Sequence, residues 1–266
     1  MILKGKRILV TGGSSGIGKA AAIEIAKQGA EVIIQARNLE KLKTAAKEIA
    51  ATGAKVHYYS TDLTTSEAVE ASANQIIEEV GLPDVIINSA GAGEWLSLEE
   101  AATPEYFSET MASPYLVTAY TIKVFYDKMK ARGNGHFIII NSAACYFTFP
   151  AAIGYLAARY AMLGYSKALQ ADLHGTDFKV SMVALGKVDS PYFKNNPKSE
   201  ARIPGIVGIL VPTLTEEESG KIIAKTVKSQ KETVIAPFML RMLVFFNRFF
   251  PGIFDWIMRL TGGAKN

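Results

Sequence analysis

Eight residues, Thr11-Gly12-Gly13-Ser14-Ser15-Gly16-Ile17-Gly18, have the types and spacing of an anion cradle. They follow an apolar run, Arg7-Ile8-Leu9-Val10, that reads as a strand, and they lead into residues 19–26, whose composition is helical. At such a turn the first backbone N–H groups of the helix point outward, and the helix dipole favours negative charge beside them. Glycine lets the chain turn sharply and lets a pyrophosphate approach the backbone closely. The expected dinucleotide contacts are Gly12, Ser14, Ser15, Gly16, Ile17 and Gly18. A second feature bears on which dinucleotide it is. Strand two ends in Gln35-Ala36-Arg37-Asn38. An NAD protein usually places a carboxylate there for the ribose hydroxyls. Arg37 can instead pair with a phosphate, which predicts NADP.

These residues need a scaffold, and the chain supplies alternating strand and helix patterns. Strands are expected at 31–36, 56–60, 84–88, 136–141, 179–185 and 233–236. Helices are expected at 39–51, from a capping box at Thr64-Thr65-Ser66-Glu67 to Gly81, from Thr103-Pro104-Glu105, at 115–132, at 151–174, and from a second capping box at Thr215-Glu216-Glu217-Glu218. Strands separated by helices imply right-handed crossovers and a parallel sheet. Nearly continuous apolar strands such as Val85-Ile86-Ile87 imply a sheet covered on both faces. The expected fold class is α/β: a single doubly wound parallel sheet of the Rossmann type, spanning residues 1–236. Residues 186–212, rich in Pro and Gly, lie beyond the carboxyl end of a strand, where ligands bind in open sheets, and read as a substrate loop. Residues 237–266 form an apolar tail.

Composition excludes several classes. The chain has 266 residues, 49% hydrophobic, with a net charge of +4. Lysine and glutamate alternate on solvated helix faces, without the basic footprint of a nucleic-acid binder. The single cysteine, Cys145, excludes an internal disulfide and gives no sign of secretion. The N-terminal residues lack the regions of a signal peptide, and no run of 18 uncharged apolar residues predicts a membrane span. A cytoplasmic protein is expected. His57, His136 and His174 have no metal-ligand spacing, so no metal is expected. Trp95 and Trp256 read as packing residues, and Cys145 as a free buried cysteine.

Over residues 5–236 the chain resembles the short-chain dehydrogenase/reductase family. The glycine loop matches that family's Thr-Gly-x-x-x-Gly-x-Gly. Asp62-Leu63 resembles its adenine-contacting pair, and Asn88-Ser89-Ala90-Gly91 its Asn-Asn-Ala-Gly. Ser142 follows strand five, and Tyr155 lies thirteen residues later. Gly186-Lys187-Val188-Asp189-Ser190 resembles its Pro-Gly-x-Val-x-Thr. The resemblance implies hydride transfer between a nicotinamide and a carbonyl or alcohol carbon. Tyr155 would donate the proton, and Ser142 would hold the oxygen. It also implies cofactor contacts from Asp62, Leu63, Asn88, Ala90, Gly91, Tyr155, Arg159, Val188 and Ser190, and a homodimer or homotetramer.

Besides Ser89 for asparagine, Leu185 for proline and Ser190 for threonine in those motifs, two positions in the catalytic pattern depart from the family. Where the family has lysine four residues after the tyrosine, this chain has Arg159. A guanidinium keeps the positive charge but is larger, planar and never neutral. Where the family's proton relay has asparagine, the aligned residue is Met111. A working reductase and a catalytically degenerate NADP-binding sensor or scaffold are therefore both open. Residues 10–19 and Ala36-Arg37-Asn38 are most similar to the 3-ketosphinganine reductase branch, which implies an apolar substrate and lipid metabolism.

The tail carries Arg241, Arg248 and Asp255 every seven residues among Phe, Leu, Met and Ile. That spacing predicts one polar helical stripe, broken or kinked at Pro251-Gly252. Over 237–260 the tail could lie on a membrane surface, cover the substrate cleft, form an oligomer interface, or simply pack on protein.

Overall fold

The apolar runs divide by parity. Ile8 and Val10 enter the core on one side, and Leu9 enters it on the other. This is the period-2 alternation of a sheet buried on both faces. The computed structural model describes residues 1–91 and 93–262. Its strands are β1 (Arg7–Thr11), β2 (Glu31–Ala36), β3 (Val56–Ser60), β4 (Val85–Asn88), β5 (Asn134–Ser142), β6 (Asp177–Leu185), the two-residue strands β7 (Val188–Asp189) and β8 (Leu214–Thr215), and β9 (Thr233–Ala236). Its helices are α1 (Gly16–Ala26), α2 (Leu39–Ala50), α3 (Ser66–Glu79), α4 (Glu105–Met111), α5 (Val117–Met129), α6 (Ile153–Asp172), α7 (Pro191–Asn195), α8 (Pro197–Ala201), α9 (Gly205–Leu210), α10 (Glu216–Ser229), α11 (Phe238–Asn247) and α12 (Pro251–Thr261).

Seven strands form one parallel sheet in the order β3-β2-β1-β4-β5-β6-β9. Residues from α1, α2 and α10 (Ile25, Leu42, Ile223) pack on one face. Residues from α3, α5 and α6 (Ile76, Phe125, Met162) pack on the other. Each such fully buried side chain contributes about 1.5–3 kcal/mol relative to exposure. The strand order reverses between β1 and β4, and this opens a crevice at their carboxyl ends. Thr11, at the end of β1, is buried there. Its hydroxyl oxygen accepts from the N–H groups of Ser89 and Ala90, each at 3.2 Å, and joins the two loops that frame the crevice.

The expected Rossmann sheet is thus present, with local differences. Thr65, not Thr64, caps α3, accepting from the Ala68 N–H. The expected capping box there is offset by one residue, because Ala68 then occupies the N3 position and has no side chain to reach back. The second box, Thr215 with Glu218, forms with both of its bonds. Residues 186–212 contain three one- or two-turn helices, each starting at or just after a proline, rather than an irregular loop. The tail makes two helices, and Pro251 opens the second at a first-turn position where its missing N–H costs nothing. The break takes Asp255 out of the expected polar stripe. It turns inward and accepts from the Thr148 hydroxyl at 2.8 Å, while Arg241 and Arg248 stay exposed.

Candidate active site

The crevice continues into a cavity of about 530 Å³ with two chemically different ends. The first end is backbone and hydroxyl. Gly12, Ser14, Ser15, Gly16, Ile17 and Gly18 line it. At Gly12, with φ +69°, a Cβ would lie 2.8 Å from the Ala90 nitrogen, and at Gly18 one would lie 2.4 Å from the Gly12 carbonyl oxygen. Side chains at either position would close the turn. Asn38, Thr65 and Thr215 cap α2, α3 and α10 with side-chain bonds, but Ser15 makes no such bond at the start of α1. The N–H groups of that turn are left for a ligand. Arg37 and Lys41 line the same end, and neither pairs with a carboxylate among the described residues. Asp62, Leu63, Ala90, Gly91, Val188 and Ser190 complete the wall.

The other end is apolar. Trp95, Phe147 and Phe149 line it, together with Val211, Leu240, Leu243 and Met258. The tail therefore forms part of the cavity wall, in agreement with one of the four roles its sequence leaves open.

Ser142, Tyr155 and Arg159 line the same cavity. Ser142 is the last residue of β5 and caps the short 3₁₀ turn at Ala143–Tyr146, accepting from the Ala144 N–H at 3.1 Å. Its own O–H proton remains free to donate. Tyr155 and Arg159 sit one turn apart in α6, on the same face. The Arg159 guanidinium carbon lies 4.9 Å from the Tyr155 ring centroid, a cation–π arrangement. Its Nε has no partner, and its one side-chain hydrogen bond among the described residues is a weak one to the Met162 sulfur at 3.7 Å. Trp95 packs on the Tyr155 ring with centroids 5.1 Å apart.

Two sequence expectations differ from the structure. Asn88 does not line the cavity. It is buried, and its amide donates to the Ile138 carbonyl at 3.2 Å, bracing β4 against β5. The second difference concerns the tryptophans. Trp95 is buried, but Trp256 is exposed rather than packed. Cys145 is buried, and burial pushes its thiol up to about 12.

Sequence reasoning missed Asn141. Its side-chain oxygen accepts from the Ser142 N–H at 2.8 Å, and its amide donates to the Arg159 carbonyl at 3.1 Å. One buried side chain thus ties β5 to α6 across the reactive centre. Lys41 was also missed, because a lysine in the first turn of an amphipathic helix reads as solvated. Further from the center, the β4–α4 loop clasps the 190–203 segment. Tyr192 donates to the Gly93 carbonyl, the Trp95 N–H donates to the Ser199 hydroxyl at 3.1 Å, and Arg202 bonds both the Trp95 carbonyl and Glu100. The Ser97 N–H and then the Arg202 guanidinium hold the Glu100 carboxyl down to about 2. Burial raises the Tyr192 phenol, and neighbouring Tyr155 adds to the effect.

A doubly wound sheet with an uncapped glycine turn at its switch point defines a dinucleotide-binding α/β protein. The chain belongs to the short-chain dehydrogenase family, whose pattern matches residues 6–201, and it is an oxidoreductase of that family. It is 31% identical over 240 residues to an uncharacterized oxidoreductase of Mycobacterium bovis, covering 89% of this chain and 68% of that one. It is 26% identical over 264 residues to estradiol 17-beta-dehydrogenase 11 of Homo sapiens, covering 98% and 84%. Among solved structures it is similar to a short-chain dehydrogenase/reductase from Burkholderia phymatum in complex with NAD (TM-score 0.83, 19% identity, 95% and 96% covered). It is also similar to an alcohol dehydrogenase from the archaeon Thermococcus sibiricus complexed with 5-hydroxy-NADP (TM-score 0.75, 25% identity, 88% and 96% covered).

Proposed function

We propose that the protein is an NADP(H)-dependent reductase of a carbonyl, a ketone on an apolar substrate. The observation that carries this reading is that Ser142, Tyr155 and Arg159 line one cavity together with the glycine turn and an apolar wall. The uncapped turn at Gly16-Ile17-Gly18 would hold the pyrophosphate, Asp62 and Leu63 the adenine, and Arg37 with Lys41 the extra phosphate of NADP. Ala90, Gly91, Val188 and Ser190 would line the nicotinamide side. When bound, NADPH supplies a hydride to the carbonyl carbon. Charge then develops on the carbonyl oxygen. Ser142 holds that oxygen by donating its free O–H, and the Tyr155 hydroxyl transfers its proton to it. Arg159 offsets the negative charge left on the phenol oxygen, which regains a proton from water. Asn141 fixes the spacing of Ser142 and Arg159. The likeness to the 3-ketosphinganine reductase branch rests on the motif residues and guides only the choice of long-chain ketones as test substrates.

The stacked guanidinium favours one other reading, a cofactor-binding protein with little turnover. An ammonium on a flexible stem relays protons, whereas Arg159 is fixed against a ring and never neutral. NADPH oxidation with medium- and long-chain ketones, run on wild type and Arg159→Lys, separates the two. Turnover by wild type supports the reductase. NADPH binding without wild-type turnover, with turnover gained in Arg159→Lys, supports a silenced site.

A further inference from the structure

The two tail helices are apolar on both faces. Inward, α11 buries Leu240 and Val244, and α12 buries Met258. Outward, α11 exposes Phe238 and Phe245, seven residues apart, and Phe249 is exposed just beyond the helix end. On α12, Ile253, Trp256 and Leu260 stand outward at i, i+3 and i+7. The exposures are large: Phe249 63%, Trp256 62%, Leu260 62% and Phe238 60%. Contiguous apolar patches of this kind mark interaction surfaces.

The charges beside the patch identify its partner. Residues 237–262 carry three arginines, Arg241, Arg248 and Arg259, and one acid, Asp255. Asp255 is bonded inward to Thr148. All three arginines are exposed, and none pairs with a carboxylate among the described residues. Arg241 in α11 and Arg248 at its end are seven residues apart on one flank, between the inward and outward faces. Exposed phenylalanine and tryptophan flanked by arginine is the pattern of a helix lying in a membrane interface, rings among the acyl chains and cations at the headgroups. No helix among the described residues is long and apolar enough to cross a membrane.

We propose that the outer faces of α11 and α12 dock the protein on an anionic phospholipid surface, without spanning it. The inward residues Leu240, Leu243 and Met258 line the apolar end of the cavity, so docking places that end beside the bilayer. A carbonyl compound dissolved in the lipid then reaches Tyr155 through a short apolar path. This consequence, unlike the docking itself, rests on the reductase reading.

Co-sedimentation with sucrose-loaded vesicles of phosphatidylcholine containing about one-third phosphatidylglycerol tests the proposal. Wild type should pellet, and Phe245→Ser/Phe249→Ser/Trp256→Ser should bind about a hundredfold more weakly. Arg241→Glu/Arg248→Glu should lose about tenfold, as should wild type on phosphatidylcholine alone. Wild type remaining in the supernatant overturns the proposal. So does a wild-type oligomer in sedimentation velocity that the triple variant dissociates, since the patch would then be covered by a second copy. Turnover of a short water-soluble ketone by the same proteins keeps the two claims apart. Unchanged turnover with lost vesicle binding supports docking, and vesicle binding without any turnover overturns only the reductase reading.

Discussion

The two ends of the cavity are built by different means. The cofactor end is made of backbone: a glycine turn, an uncapped helix start, and two loops joined by the Thr11 hydroxyl. The apolar end is made of side chains from Trp95, Phe147, Phe149, the 190–211 segment and the tail, brought together from across the sequence by apolar packing and the Arg202 clasp. Backbone geometry demands particular residues at fixed spacing, whereas an apolar wall demands only volume and hydrophobicity. The first end is therefore specific about its ligand and the second permissive.

Four experiments test whether the two ends act separately. The largest effect should come from the junction. Tyr155→Phe removes the proton donor and keeps the ring packed on Trp95, so turnover should fall about a thousandfold while NADPH affinity, read by fluorescence titration, changes little. Acid should act on both ends together. His136 is buried within β5, bonded to the Ser181 hydroxyl at 2.9 Å, and burial pushes its imidazole down to about 4 from 6.5. Its folded value is depressed, so the neutral form's contribution is present above the unfolded value and lost as pH falls from 6.5 toward 4. Chemical denaturation across that window should lose about 3 kcal/mol, less in His136→Asn.

The cofactor end alone should respond to Arg37→Glu. Its Kd for NADPH should rise some tens of fold while that for NADH changes little, because only the extra phosphate loses its partner. The apolar end alone should respond to Arg202→Met, which frees the Trp95 carbonyl and Glu100 and loosens the clasp. KM for an apolar ketone should rise about tenfold with NADPH affinity unchanged. If Arg202→Met weakened NADPH as much as ketone, the two ends would not be separate units.

The same contrast explains what could be read before the fold was known. Every predicted cofactor residue except Asn88 lines the cavity, because glycine spacing and a strand-end arginine carry their mechanism with them. Asn88 misled because its position beside Ser89-Ala90-Gly91 says nothing of where its amide turns. The helix break at Ser113, which lines the cavity, left no sign in the sequence, because a local φ/ψ change has no periodic signal. Asn141 bridges two elements eighteen residues apart, and only the fold makes it a brace. Phe147, Val211 and Leu240 read as ordinary apolar residues, since a cavity wall and a packed core have the same composition. The tail's sequence allowed covering the cleft and lying on a membrane, and one helix pair can do both because its two faces are both apolar.

A homologous series of straight-chain methyl ketones, assayed for NADPH oxidation, tests the joined cavity most directly. If Tyr155 works between a cofactor end and an apolar end, kcat/KM should climb about fourfold per added methylene until the apolar end is filled. A series that turns over equally well at every chain length, or a protein that binds NADPH and oxidises none with any of these ketones, would contradict it.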